Sequence, residues 1–295
     1  MKFWTHYHTP QTVDEALALL TQYAGQARVI AGGTDLLVDA RAEGEAAAEA
    51  LVDVTSIADL REITEVDGRI VIGAGVTHSQ IVKSALLQEG ATCLVESCGV
   101  VGGPQVRNVG TLGGNVAHAL PAGDGTVSLV ALDAEVEIVK DGVRRWAPIR
   151  EMYLGPGKSL LDSTRDLLLR FRFRPHGTAE ATAFSRIMRP QGVALPILGC
   201  AVWLRLDAST RSTIVESRVC IAPISPTPNR ASEVEAALVG KPANQETIER
   251  VAEFAMGALH PRTSKYRATA EYRQEMIAVL LKRTLTAAVE RASGN

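Results

Sequence analysis

Glycine is concentrated in two runs of this chain: AGGTD at residues 31–35, and GVVGGPQV at 99–106 leading into VGTLGGNVAHALPAGDG at 109–125. The later run is too rich in small residues for a packed helix, so it predicts bare backbone. Without a Cβ, neighbouring N–H groups can close on a ligand and adopt the left-handed angles such loops need. Phosphate is the usual ligand of such backbone. Ala31, Gly32, Gly33, Thr34 and Asp35, after a strand, form one candidate loop; Thr111, Leu112, Gly113, Gly114 and Asn115 form the other. Each sets two glycines beside a side chain able to reach a phosphate oxygen. Either alone also reads as an ordinary turn, but the pair calls for a shared explanation. A hydrogen bond to a charged group contributes about 1.5–3 kcal/mol, so amides from two loops can hold a diphosphate without a lysine cluster.

Local holding is needed, because the formal net charge is -2 and the pI about 6.3. No overall basic field exists to attract nucleic acid or an anionic membrane. The start, MKFWTHYHTPQTVDEALALL, places acids where a signal peptide needs an unbroken apolar segment, and it predicts a cytoplasmic protein. The most apolar run, ILGCAVWLRL, is broken by Arg205, well short of the roughly 18 residues needed to span a bilayer. No integral membrane segment is expected. Cys93, Cys98, Cys200 and Cys220 are scattered like buried thiols of a reducing compartment. The Cys93–Cys98 gap matches a plant-type iron–sulfur loop, but the next cysteine of that pattern is missing. The histidines His6, His8, His78, His118, His176 and His260 show no metal-ligand spacing and read as structural or surface groups. No serine, histidine and carboxylate constellation stands out.

A length of 295 residues with 46% hydrophobic content furnishes two or three units. TVDE, from Thr12 to Glu15, is a capping box that opens a helix before the strand RVIAG. A short helix follows AGGTD, then AEGEAAAEA as an exposed loop or helix end, then the strand LVDVT. EITEVDGRIVIGAG predicts a hairpin turning at Asp67 and Gly68, and Thr77 with Gln80 predicts a helix running through Leu87. Beyond the glycine-rich run come a buried helix at TVSLVALD, a hairpin turning at Asp141 and Gly142, and the strand LLLRFRF. From about residue 180 strands are expected at AFSRIM, LGCAVWLRL and STIVESRVCIA; helices fill the remainder, the last from about Arg267. RIVIGAGVTHSQIV imitates a dinucleotide turn but fails on spacing, since His78 stands where the third glycine is required after Gly73 and Gly75.

AGGTDLLV, VGGPQVRNVGTLGGNVAHALPAGD and ATAEYRQEMIAVLLKR, in that order, resemble the FAD-binding medium subunit of molybdenum hydroxylases, the group of carbon monoxide dehydrogenase and bacterial xanthine dehydrogenases. The resemblance runs along essentially the whole chain. It implies an α+β architecture, the vanillyl-alcohol oxidase (PCMH)-type FAD-binding fold of two α/β subdomains at 1–56 and 57–176, with a C-terminal domain of a small antiparallel sheet and helices at 177–295. It also implies noncovalent FAD. Val29, Ile30 and the segment Ala31, Gly32, Gly33, Thr34, Asp35 and Leu36 would follow the diphosphate, joined by Gly113, Gly114, Asn115 and the Thr111 hydroxyl. Asp124 matches a family aspartate whose carboxylate accepts from sugar hydroxyls. Val101, Gly102, Val106 and Gly110 match positions lining flavin or adenine, and Leu168 one on a strand near the ring.

Two departures stand out. After Phe184 relatives often carry a lysine, where this chain has Ser185 and then Arg186, either of which is a candidate for that place. Arg186 could supply positive charge beside a reduced flavin. The usual acidic residue before the V-A of GVA is Gly192. The implied partners are a large molybdopterin subunit and a small subunit with two [2Fe-2S] clusters, in a dimer of heterotrimers, with NAD or a quinone as electron acceptor. A second possibility is a self-contained FAD-dependent reductase resembling UDP-N-acetylenolpyruvoylglucosamine reductase, which shares the flavin fold but needs a different C-terminal domain.

Overall fold

The computed structural model describes residues 3–43, 48–189, 195–265 and 267–294. In the first unit, strands β1 (His6–His8), β2 (Ala27–Ile30) and β3 (Ala50–Asp53) form a parallel sheet in the order β1-β3-β2. Helices α1 (Val13–Gln22) and α2 (Leu36–Glu43) connect them. Thr12 caps α1 by accepting from the Glu15 N–H, but the Glu15 carboxylate turns back to the N–H of Gln11, one residue short of a reciprocal box. Part of AEGEAAAEA lies outside the described residues.

The second unit is a five-stranded antiparallel sheet in the order β4-β5-β10-β6-β7: β4 (Ile63–Val66), β5 (Arg69–Gly73), β6 (Glu135–Lys140), β7 (Val143–Pro148) and β10 (Leu167–Phe173). Between β7 and β10 runs a small hairpin, β8 (Tyr153–Gly155) with β9 (Lys158–Ser159). Both expected tight turns form, with positive φ at Asp67 and Gly68 and again at Asp141 and Gly142. The helix expected to reach Leu87 is instead two, α3 (His78–Lys83) and α4 (Ala85–Gly90). Ser84 breaks it, because its extended backbone and its side chain, which accepts from the Leu87 N–H, start a new helix.

The glycine-rich run also departs from expectation. It is not a loop but a series of short helices, α6 (Pro104–Val109) and α7 (Leu112–Ala117), preceded by α5 (Thr92–Gly99) and followed by the wholly buried α8 (Asp124–Ala131). Helices of six to eight residues escape a periodicity reading; α7 and α8 are held by burial, whereas α6 buries no residue and opens with Pro104 in its first turn.

The third unit is the antiparallel sheet β11 (Glu180–Met188), β12 (Pro196–Leu206) and β13 (Ile214–Ala222), with helices α9 (Ser232–Leu238), α10 (Gln245–Ala258) and α11 (Ala270–Ser293). β12 is the central strand. One side of the sheet offers Phe184, Ala201 and Trp203 to the core shared with α5 and α8. The other offers Val202 and Leu204 to the core made with α9, α10 and α11. Double coverage explains why ILGCAVWLRL is apolar nearly throughout, as strands buried on both faces are. No helix among the described residues is long and apolar enough to cross a membrane.

Candidate functional site

A cavity of about 950 Å³ opens where the three units meet, within the range of roughly 300–1,000 Å³ usual for ligand sites. The end of β2 delivers Val29, Ile30, Ala31, Gly32, Gly33, Thr34, Asp35 and Leu36 to its wall. The helical run delivers Val101, Gly102, Val106, Gly110, Thr111, Gly113, Gly114, Asn115 and Asp124, and the strands Leu168 and Arg186. Of the expected site residues Ser185 does not line it, and neither does Leu112 of the second candidate loop, which is buried in the core. On β11 Ser185 pairs with Cys200, and because successive strand side chains point to opposite faces, the next residue, Arg186, enters the cavity. Gly192 lies outside the described residues.

The glycines serve different ends. Gly33 has φ +67°, which only glycine adopts without cost. Gly32 is needed for contact between the two runs, since a Cβ there would collide with the Val109 carbonyl. Gly113 likewise presses on the Ala74 carbonyl. The two runs therefore touch backbone to backbone along the cavity wall.

Accounting for the amides separates their chemistry. The N–H groups of Gly32, Gly33, Thr34 and Asp35 donate to no acceptor among the described residues. In the later run, the N–H groups of Leu112 and Gly113 donate to Val76 and Ala74 carbonyls, each at 3.0 Å. Gly114 donates to Thr111 Oγ1 at 3.0 Å and Asn115 to the Thr111 carbonyl at 3.0 Å. Those amides are consumed by the fold. The first run thus offers backbone donors, while the second offers the side chains of Thr111 and Asn115. Arg107 pins the loop between α5 and α6, donating to the carbonyls of Val101 at 3.0 Å and Gly102 at 2.9 Å.

Two buried acids line the site, Asp166 at 2% exposed and Asp124 at 5%; Asp166 accepts the N–H groups of Asp141 and Asp162 at 3.0 Å each, whereas Asp124 is bonded differently. Its Oδ2 accepts from Arg186 at 2.6 Å, while Oδ1 has no partner among the described residues. Burial raises its pKa to about 6 in spite of the nearby charges of Arg186 and Arg267. Asn115 Oδ1 and His78 Nδ1 are also buried without partners. His78 is kept neutral, its pKa lowered to about 4 by burial and then by the charge of Arg107. Three unpaired polar atoms on residues lining one cavity are unusual, because buried polar groups are nearly always bonded. They fit a wall completed by a polar ligand.

Sequence reasoning set aside His78 and His118, yet both line this cavity. His118 Nε2 lies 3.9 Å from Asp35 Oδ1. The Thr77 cap could have drawn attention to His78, which begins the helix it opens. Arg267 had no local signal; it reaches the cavity from the segment before α11. Among the described residues no three His, Cys, Asp or Glu side chains gather as a metal site.

Unpaired amides after a parallel strand beside an apolar wall suit a phosphate-bearing cofactor, and the family match identifies the class as FAD-binding flavoproteins. The model of the FAD binding domain in molybdopterin dehydrogenase matches residues 2–174, and that of the CO dehydrogenase flavoprotein C-terminal domain matches residues 182–288. The chain belongs to this family of flavoprotein subunits of molybdopterin-dependent oxidoreductases. It is 31% identical to the xanthine dehydrogenase FAD-binding subunit of Escherichia coli O157:H7 over 98% of this chain and 97% of the relative. It is also 31% identical to the carbon monoxide dehydrogenase medium chain of Hydrogenophaga pseudoflava, over 97% and 98%. The solved structure of carbon monoxide dehydrogenase from Hydrogenophaga pseudoflava that lacks the Mo-pyranopterin moiety matches with TM-score 0.88 at 30% identity, covering 99% of this chain and 98% of that one.

Proposed function

We propose that this chain is the FAD-carrying electron-transfer subunit of a molybdenum hydroxylase. A large molybdopterin subunit oxidises the substrate, a small subunit with two [2Fe-2S] clusters relays the electrons, and this chain passes them to an external acceptor such as NAD or a quinone. The assembly is a cytoplasmic dimer of heterotrimers. FAD, bound noncovalently, would supply the redox chemistry between the clusters and the acceptor. The observation that carries this reading is the set of amides from Gly32 to Asp35 that have no acceptor among the described residues and belong to residues lining one cavity.

Each part of the wall has a task. Amides from Gly32 to Asp35 hold the diphosphate, and the hydroxyls of Thr34 and Thr111 have no acceptor among the described residues, which leaves them able to donate to it. Val101, Val106 and Leu168 give an apolar surface for planar rings. Arg186, held by Asp124, sets positive charge where reduction adds negative charge. The match of residues 182–288 to a CO dehydrogenase flavoprotein C-terminal domain supports this reading over the self-contained reductase.

The purified chain is expected to be yellow and to release FAD on acid treatment. Stopped-flow absorbance should show substrate bleaching the flavin only when all three subunits are present. A colourless chain that FAD cannot reconstitute would defeat the proposal. Rapid reduction by NADPH with turnover of UDP-N-acetylenolpyruvoylglucosamine would establish the reductase instead.

A further inference from the structure

Asp124 is only partly neutralised by its surroundings. Asp124 begins α8, and its side chain is 6% exposed. The charged and titratable groups facing it are Arg186 from β11, Arg267 from the segment before α11, and the buried thiol Cys98 from α5. Gly199 of β12 approaches it without charge, a Cβ there lying 3.8 Å from Asp124 Oδ1, and Asn115 of α7 lies against the flanking Gly123 and Gly125. Among the described residues only Arg186 bonds Asp124, through one oxygen. The other oxygen has no donor among them, an expensive arrangement for an ionised carboxylate and a natural one for a carboxyl that takes up a proton.

Resting on the FAD reading above, we propose that Asp124 is the proton-accepting group of this cavity. When bound FAD takes two electrons from its reductant, one proton goes to the flavin and a second, drawn from solvent, goes onto Asp124 Oδ1. Negative charge arriving beside a buried carboxylate favours its neutral form. Protonation then loosens the hold on Arg186, whose guanidinium is left to offset the charge on the flavin. Burial already places the Asp124 pKa at about 6 before any such charge arrives, so a modest further rise carries it through neutrality.

Infrared difference spectroscopy of the FAD-loaded chain, reduced with dithionite near pH 7, tests this. Reduction should create a protonated-carboxyl band that moves in deuterated water and on ¹³C labelling of aspartate. Asp124→Asn, compared at equal FAD occupancy after reconstitution, should lack that band, and its reduction potential should fall with rising pH less steeply than in the unchanged chain. The labelled, unchanged protein is decisive by itself if the variant does not fold. No label-sensitive carboxyl band on reduction, or an identical band in Asp124→Asn, would overturn the inference. A chain that binds no FAD would instead defeat the functional reading beneath it.

Discussion

Gly32 carries a demand that no other residue can meet, because its Cβ would occupy the place of the Val109 carbonyl. Gly32→Ala should cost about 1–3 kcal/mol by overpacking and should part the two glycine runs; thermal denaturation and FAD titration measure both effects. His78 and Asp124 give a pH signature with opposite signs. The folded pKa of His78 is depressed from 6.5 to about 4, so the unfolded chain binds more protons in that interval and stability falls as pH drops through it. Asp124 is raised from 3.8 to about 6, so its contribution is fully present below 3.8 and is lost as pH rises through about 6. Each shift corresponds to something on the order of 3 kcal/mol, and the two nearly cancel. In FAD-free protein, Asp124→Asn should therefore reveal acid destabilisation between pH 6 and 4, and His78→Gln should reveal the reverse, by urea denaturation across that range.

At the level of elements, β11 is an edge strand, and its free side is covered by α5 and the end of α11. Glu96 of α5 accepts the Phe184 N–H at 2.7 Å and pairs with Arg291 of α11, which donates to the Thr182 carbonyl at 2.7 Å. These contacts hold β11 two residues from Arg186. Glu96→Ala leaves the Phe184 amide without its acceptor, at a cost of about 1–3 kcal/mol. Glu96→Gln keeps an acceptor and should recover most of that loss. Chemical denaturation of both variants decides; equal loss would point to the charge pair with Arg291 rather than to the amide.

At the scale of the whole molecule, the third unit is not an appendage. Phe184, Ala201, Trp203, Cys220 and Ala222 belong to the same core as α5 and α8 of the second unit. A fragment ending at residue 176 would expose that face of α5 and α8 to water, a patch of the kind soluble monomers avoid. Such a fragment is expected to aggregate or bind hydrophobic dyes, whereas the full chain should unfold in one transition. A cooperative, dye-free melt of the fragment would show that the second unit folds alone.

Much of this could be read from order along the chain. Both tight hairpin turns, the buried helix of TVSLVALD and the three late strands follow from local signals, Asp-Gly dipeptides and apolar runs, whose physics acts over a few residues. The pairing of two glycine runs pointed to one ligand site, and family resemblance assigned its residues. What escaped was whatever depends on contacts across the fold. Ser84 broke a helix through a side-chain cap, and the later part of the glycine run, α7 and α8, turned helical because burial outweighed propensity. The amides of Gly113 and Gly114 were taken by Ala74 and Thr111 rather than left for a ligand. Only the strand's alternation chose Arg186 over Ser185, and only the meeting of β11 with α8 set its charge against Asp124. Burial and hydrogen-bond accounting are properties of the assembled molecule, since they depend on which distant groups exclude water from one another.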